Sequence, residues 1–149
     1  MTYLDTSALI KRFIAERGSD VVRRVFAEGR PVATARIAYA EVHAALARRQ
    51  REGDLLREAY RSAVRQFERD WTGYIRVELH EDILRGVRTL VGRHPLRAYD
   101  AVHLASALHL RNSLGEDLTF AASDERLLTA AGAERLRTLN PETSEQAPP

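Results

Sequence analysis

Thr2-Tyr3-Leu4-Asp5-Thr6-Ser7-Ala8-Leu9-Ile10 opens the chain with a short β-forming run, meets a carboxylate and two hydroxyls, and continues as an apolar helical pattern. A strand that ends on an acid and turns at once into a helix is how a unit of alternating strand and helix begins. The same alternation recurs along the chain. Strands are expected at residues 2–4, 32–34, 75–79, 118–121 and 136–139. Helices are expected at about residues 7–13, 20–28, 38–51, 55–70, 81–93, 98–114 and 124–131, with stop signals at Gly29 before Pro31, Gly53-Asp54, Pro95 and Gly132.

Strands separated by helices require right-handed crossovers. The expected fold class is therefore α/β, with a mainly parallel central sheet and helices on both faces, in three layers. Ile75, Val77 and Leu79 alternate with Arg76 and Glu78, which places that strand near a sheet edge. One domain over residues 1–139 is expected, followed by a polar, proline-containing tail at 140–149 that is expected to be disordered. In such sheets ligands collect beyond the carboxyl ends of the strands. Asp5 lies past the first strand and Asp124 past the strand at 118–121, while Glu41 and Asp100 lie early in their helices. All four are expected on one rim.

Composition narrows the chemistry. There is no cysteine among the 149 residues, which excludes disulfides, thiol catalysis and cysteine–zinc sites. The first apolar run is interrupted by Asp5 and no stretch approaches a membrane span, so a cytoplasmic protein without membrane contact is expected. The net charge of +2 does not by itself announce nucleic-acid binding. Of the 23 basic residues only Lys11 is lysine, and arginine suits phosphate recognition, although a compositional bias explains the same count.

Asp5, Glu41, Asp100 and Asp124 each sit among small or apolar neighbours. Carboxylates in such surroundings need a partner. Each taken singly has a structural reading: Asp5 as a helix cap, Asp100 and Asp124 as first-turn acids, Glu41 as the partner of an arginine. Taken together they would repel by roughly 4 kcal/mol per pair at about 4 Å and an effective dielectric near 20. A hard divalent cation, Mg2+ or Mn2+, removes that repulsion and assists phosphodiester hydrolysis. Thr6, Ser7 and Ser123 stand beside these acids, either to orient carboxylates and water or to cap helices.

The segments Leu4-Asp5-Thr6-Ser7-Ala8-Leu9, Ala40-Glu41-Val42, Arg97 to Ala105 around Tyr99-Asp100-Ala101-Val102-His103, and Ala122-Ser123-Asp124-Glu125-Arg126-Leu127 carry a family resemblance. The chain resembles the PIN-domain ribonucleases, particularly the VapC-like toxins of toxin–antitoxin pairs, from Thr2 to about Leu139. The resemblance implies a PIN-like fold and a metal-dependent endoribonuclease inhibited by a cognate antitoxin. It implies Asp5 and Asp100 as direct metal ligands, with Glu41 and Asp124 completing the acidic pocket partly through water. RNA, an antitoxin and a second copy of the chain are the expected partners.

Other features are more equivocal. Arg97, three residues before Asp100, reads either as a phosphate contact or as a surface arginine paired with a carboxylate. His103 reads as a packed helix residue bonding a neighbour rather than as a ligand. Arg57, Arg61, Arg65 and Arg69 recur every four residues beside the apolar Leu56, Tyr60, Val64, Phe67 and Trp71, and read as a solvated face beside core or dimer interface. Two rival functions remain: a non-catalytic scaffold or RNA-binding module, and a haloacid-dehalogenase-like phosphotransfer enzyme. The latter wants a second acid two residues after Asp5, where Ser7 stands.

Overall fold

The computed structural model describes residues 1–144. Its elements run β1 (Thr2–Leu4), α1 (Thr6–Leu9) continued by a 3-10 turn (Ile10–Arg12), α2 (Ser19–Ala27), β2 (Val32–Ala35), α3 (Ala38–Arg51), α4 (Arg57–Trp71), β3 (Ile75–Val77), α5 (Glu81–Arg93), α6 (Ala98–Leu114), β4 (Thr119–Ala121), α7 (Glu125–Ala133), β5 (Arg137–Leu139) and α8 (Pro141–Ser144). The strands form one sheet in the order β3-β2-β1-β4-β5, with every pairing parallel. Strand order reverses between β1 and β4, and that reversal opens a crevice at the carboxyl ends of these two strands.

Side-chain alternation divides the core into two layers. Tyr3 points to one face of the sheet, where its ring stacks on Phe120 at 5.4 Å among residues of α5, α6 and α7. Leu4 points to the other face, among Leu9, Val42, Leu46, Phe67 and Trp71 from α1, α3 and α4. These are the three expected layers. Helix α6 is buried on successive residues from Ala101 to Ala107, because it packs against both the sheet and its neighbours α5 and α7. A helix buried on all sides along this stretch has little choice of position, and α6 holds its first turn at the rim of the sheet.

β3 lies at the edge, where Ile75 is 38% exposed, as its alternating pattern indicates. Of the α4 residues flanking the arginine ladder, Phe67 and Trp71 are buried in the core while Leu56 at its start is exposed. Of the polar tail expected from residue 140, Pro141–Ser144 form α8 against α2, and residues 145–149 lie outside the described residues. Among the described residues no helix is long and apolar enough to cross a membrane.

Candidate active site

The crevice beside β1 contains a cleft of about 620 Å³ lined by Asp5, Thr6, Ser7, Glu41, Asp100 and His103, with Arg48, Arg49, Arg97 and Tyr99 at its walls. Three of the four acids singled out in the sequence thus share one cleft, although β1, α3 and α6 are far apart in the chain. Asp124 is not part of its lining. It connects to the cleft through Arg97, whose Nε donates to Asp100 Oδ2 at 3.1 Å and whose Nη2 donates to Asp124 Oδ2 at 3.2 Å. The cation that balances these two acids is therefore a side chain of the protein. Both carboxylates raise the Arg97 pKa, Asp100 more strongly.

Asp5 is the deepest of the set at 5% exposed. It caps α1, accepting the Ala8 N–H at 2.9 Å, and takes the Ser7 hydroxyl on the same Oδ1 at 2.7 Å. Ser7 Oγ in turn accepts the Ser123 N–H at 2.9 Å, tying the end of β1 to the loop after β4. The structural reading of Asp5 as a cap and the reading of Ser7 as a carboxylate-orienting hydroxyl are thus realised in one arrangement. Burial raises the Asp5 pKa above its ordinary value, against the opposing effects of His103, Ser7 and Ala8. Asp124 Oδ1 caps α7 by accepting the N–H groups of Arg126 and Leu127, while Oδ2 faces Arg97 and, at 3.8 Å, Arg126.

Glu41 is set differently. Its Oε1 accepts the Thr6 hydroxyl at 2.9 Å and lies 2.7 Å from His103 Nε2. Tyr3 lies behind the ring, its hydroxyl 3.1 Å from His103 Nδ1. Burial raises the Tyr3 pKa well above its ordinary value and keeps the phenol protonated. Burial alone would push the Glu41 carboxyl up, but the bond and charge of His103 together with Thr6 outweigh it and hold the pKa below its ordinary value. His103, buried and bonding a neighbour as its helical position suggests, is also part of the cleft wall. Its place three residues after Asp100, on the same face of α6, is the sequence feature that could have shown this.

Arg48 and Arg49 were not expected at this site from residue spacing. They reach it because α3 runs along the same cleft that Glu41 enters from its first turn. Among the described residues no three His, Asp or Glu side chains stand close enough to form a preassembled cation cage. The donor chemistry of the cleft nonetheless suits a hard divalent ion: Asp5, Glu41 and Asp100 supply carboxylate oxygens, and Asp5 is buried with no basic side chain bonded to it among the described residues.

A family model for the PIN domain matches residues 2–133. Ribonuclease VapC45 of Mycobacterium tuberculosis (strain CDC 1551 / Oshkosh) is 37% identical over 134 residues, covering 89% of this chain and 90% of the relative. Ribonuclease VapC46 of Mycobacterium tuberculosis (strain ATCC 25618 / H37Rv) is 33% identical over 135 residues, covering 87% and 88%. Among solved structures, a toxin–antitoxin complex from Klebsiella pneumoniae superposes with a TM-score of 0.65 at 19% identity, covering 95% of this chain and 98% of that chain. FitAcB from Neisseria gonorrhoeae gives 0.62 at 18%, with the same coverage. Both likenesses are of fold. A family match that runs from β1 through α7 and includes the acidic crevice, with relatives this similar over most of their length, means that the chain belongs to the PIN-domain family.

Proposed function

We propose that the chain is an endoribonuclease toxin that hydrolyses RNA phosphodiester bonds with Mg2+ or Mn2+ and is inhibited by a cognate antitoxin. The observation that carries this reading is the cleft itself: Asp5, Glu41 and Asp100 from three elements, walled by Arg48, Arg49 and Arg97. Acids beside arginines suit a cation and a phosphate together, and relatives named ribonucleases give the substrate class. Asp5 and Asp100 would hold the ion, with Glu41 and Asp124 contributing through water. Once bound, a divalent ion supplies Lewis acidity at the phosphoryl oxygen and a more acidic water.

The remaining work falls to the protein. Ser7 and the Ala8 N–H fix the Asp5 carboxylate in one orientation. Thr6 and His103 occupy Oε1 of Glu41, leaving Oε2 to orient the attacking water for in-line displacement. Arg97 in this reading moves from its two carboxylates to a substrate phosphate, and the 2′-hydroxyl has no obligatory part. A second copy of the chain belongs to the same proposal. Leu84 and Val91, both exposed and seven residues apart on one face of α5, supply apolar surface for such a contact.

The test is cleavage of a structured RNA pool with Mn2+, Mg2+ or chelator, beside Asp100→Asn. Metal-dependent cutting that disappears in Asp100→Asn supports the reading. A folded protein that neither cuts RNA nor binds metal returns it to a non-catalytic scaffold, the reading that the capping roles of Asp5 and Asp124 favour.

A further inference from the structure

Behind the cleft, a row of alternating charges links the end of the described chain to the cleft wall. Lys11, the sole lysine, is 3% exposed. Its ammonium lies 3.0 Å from Glu16 Oε1 and 2.9 Å from Glu142 Oε1. A buried ammonium requires such partners. The other oxygen of Glu16, Oε2, accepts from Arg49 Nη1 at 2.6 Å, and Arg49 lines the cleft. Glu142 stands on α8, beyond residue 133 where the family match ends. The Lys11 ammonium that bonds to it is the main reason its carboxyl titrates below the ordinary value.

The seating of α8 depends on the turn before α2. Gly18 has φ +85°, and a Cβ there would lie 2.9 Å from Pro141. Arg17 Nε donates to the Glu142 carbonyl at 3.1 Å. Ser19 Oγ accepts the Glu16 N–H and donates to the Ile14 carbonyl, which fixes the turn that carries Glu16. The row is thus anchored at both ends.

We propose that α8 is a latch that positions Arg49 as a phosphate contact of the cleft, acting through Glu142, Lys11 and Glu16. This rests on the ribonuclease reading for the identity of the substrate. Arginine has five N–H donors, so a guanidinium held by one nitrogen keeps others free for a phosphate. Lys11 and Arg49 face Glu16 and Glu142, so the Glu142 charge on Lys11 leaves Glu16 to tether Arg49. Loss of the Glu142 charge would leave Lys11 with Glu16 as its one carboxylate among the described residues. Glu16 would then be drawn towards Lys11, and Arg49 would lose its tether.

The experiment uses the full chain, with side-chain Nε–Hε NMR of Arg49 and binding of a short labelled single-stranded RNA in chelator across a salt series. Arg49→Gln is expected to weaken binding about 3–10-fold and to lower the slope of log K against log salt by about 0.7. Glu142→Gln is expected to shift the Arg49 resonance to that of an untethered arginine and to weaken binding about 2–5-fold, with no further loss when added to Arg49→Gln. An unmoved Arg49 resonance in Glu142→Gln, or losses that simply add, overturns the latch. Should the wild type bind no RNA, the ribonuclease reading falls, and the Arg49 resonance alone decides whether the mechanical link stands.

Discussion

His103 Nε2 lies 2.7 Å from Glu41 Oε1, and through this contact a buried residue of α6 orients an acid of the cleft. Replacing His103 with Ala removes the donor and opens a void beside Tyr3. Cleavage is expected to fall about 10–100-fold, the usual effect of losing a residue that orients a functional carboxylate. His103→Gln, which can return an N–H to Glu41, is expected to recover part of that loss. Equal activity in the two variants would argue against an orienting role.

The same contact gives a stability effect with a definite sign. The Glu41 pKa is lowered from the model-compound value of 4.5 on folding, so its contribution is fully present above that value. It is lost as pH falls through 4.5 towards the lower folded value, where the folded carboxylate finally takes a proton. Urea midpoints measured from roughly pH 6 down to pH 3 should therefore fall less steeply in Glu41→Gln than in the wild type.

Asp5 has the opposite sign. Its pKa is raised by burial, so the folded state holds that proton more tightly than the unfolded one, and ionisation at neutral pH costs stability. Asp5→Asn keeps an acceptor for the Ala8 N–H and removes the buried charge. It is expected to gain about 1 kcal/mol, a rise in Tm of about 2–4 °C, while abolishing cleavage. The gain should vanish at acid pH, where the wild-type carboxyl is neutral. Calorimetry at two pH values beside an RNA assay checks it.

Arg97 pairs with both Asp100 and Asp124, and Arg126 approaches only Asp124, at 3.8 Å. Its side chain is 70% exposed, so Arg97→Gln should change stability by less than about 1 kcal/mol. Removing this competing charge should tighten Mn2+ binding measured by titration calorimetry, while RNA binding weakens. Unchanged Mn2+ affinity would show that the arginine and the metal do not compete.

Gly18 is where the backbone itself is tested. Its φ of +85° lies in the left-handed region and Pro141 occupies the space of a Cβ. Gly18→Ala is expected to cost about 1–2 kcal/mol from the backbone alone, read as a lower urea midpoint.

Much of the architecture was legible because local chemistry and tertiary placement agree. Helices α3, α5 and α6 have the boundaries that their caps and periodicity suggest, and the alternation at Ile75 to Val77 marked an edge strand. The first helix was less legible. It was expected to run from about Ser7 to Phe13 but tightens after Leu9 into a 3-10 turn, and neither hydrophobic period nor propensity distinguishes the two. The acids of the cleft were visible because carboxylates among alanines and valines are costly without a partner. The identity of the partner was not visible: Asp124 was grouped with the rest by that argument, yet it stands outside the cleft lining and reaches Asp100 only through Arg97.

What the sequence by itself determined is the alternation of strand and helix, and with it a parallel sheet whose carboxyl rim carries Asp5, Glu41, Asp100 and Asp124. Those features rest on periodicity and on the cost of burying charge, which act over a few residues. What only the tertiary structure decided is which charges meet. Lys11 pairs with Glu142 across 131 residues, His103 with Glu41 across 62, and Ser7 with the Ser123 N–H across 116. Such pairs depend on strand order and on the seating of α6 and α8, and nothing in the spacing of residues along a chain encodes a distance in space between two of its distant parts.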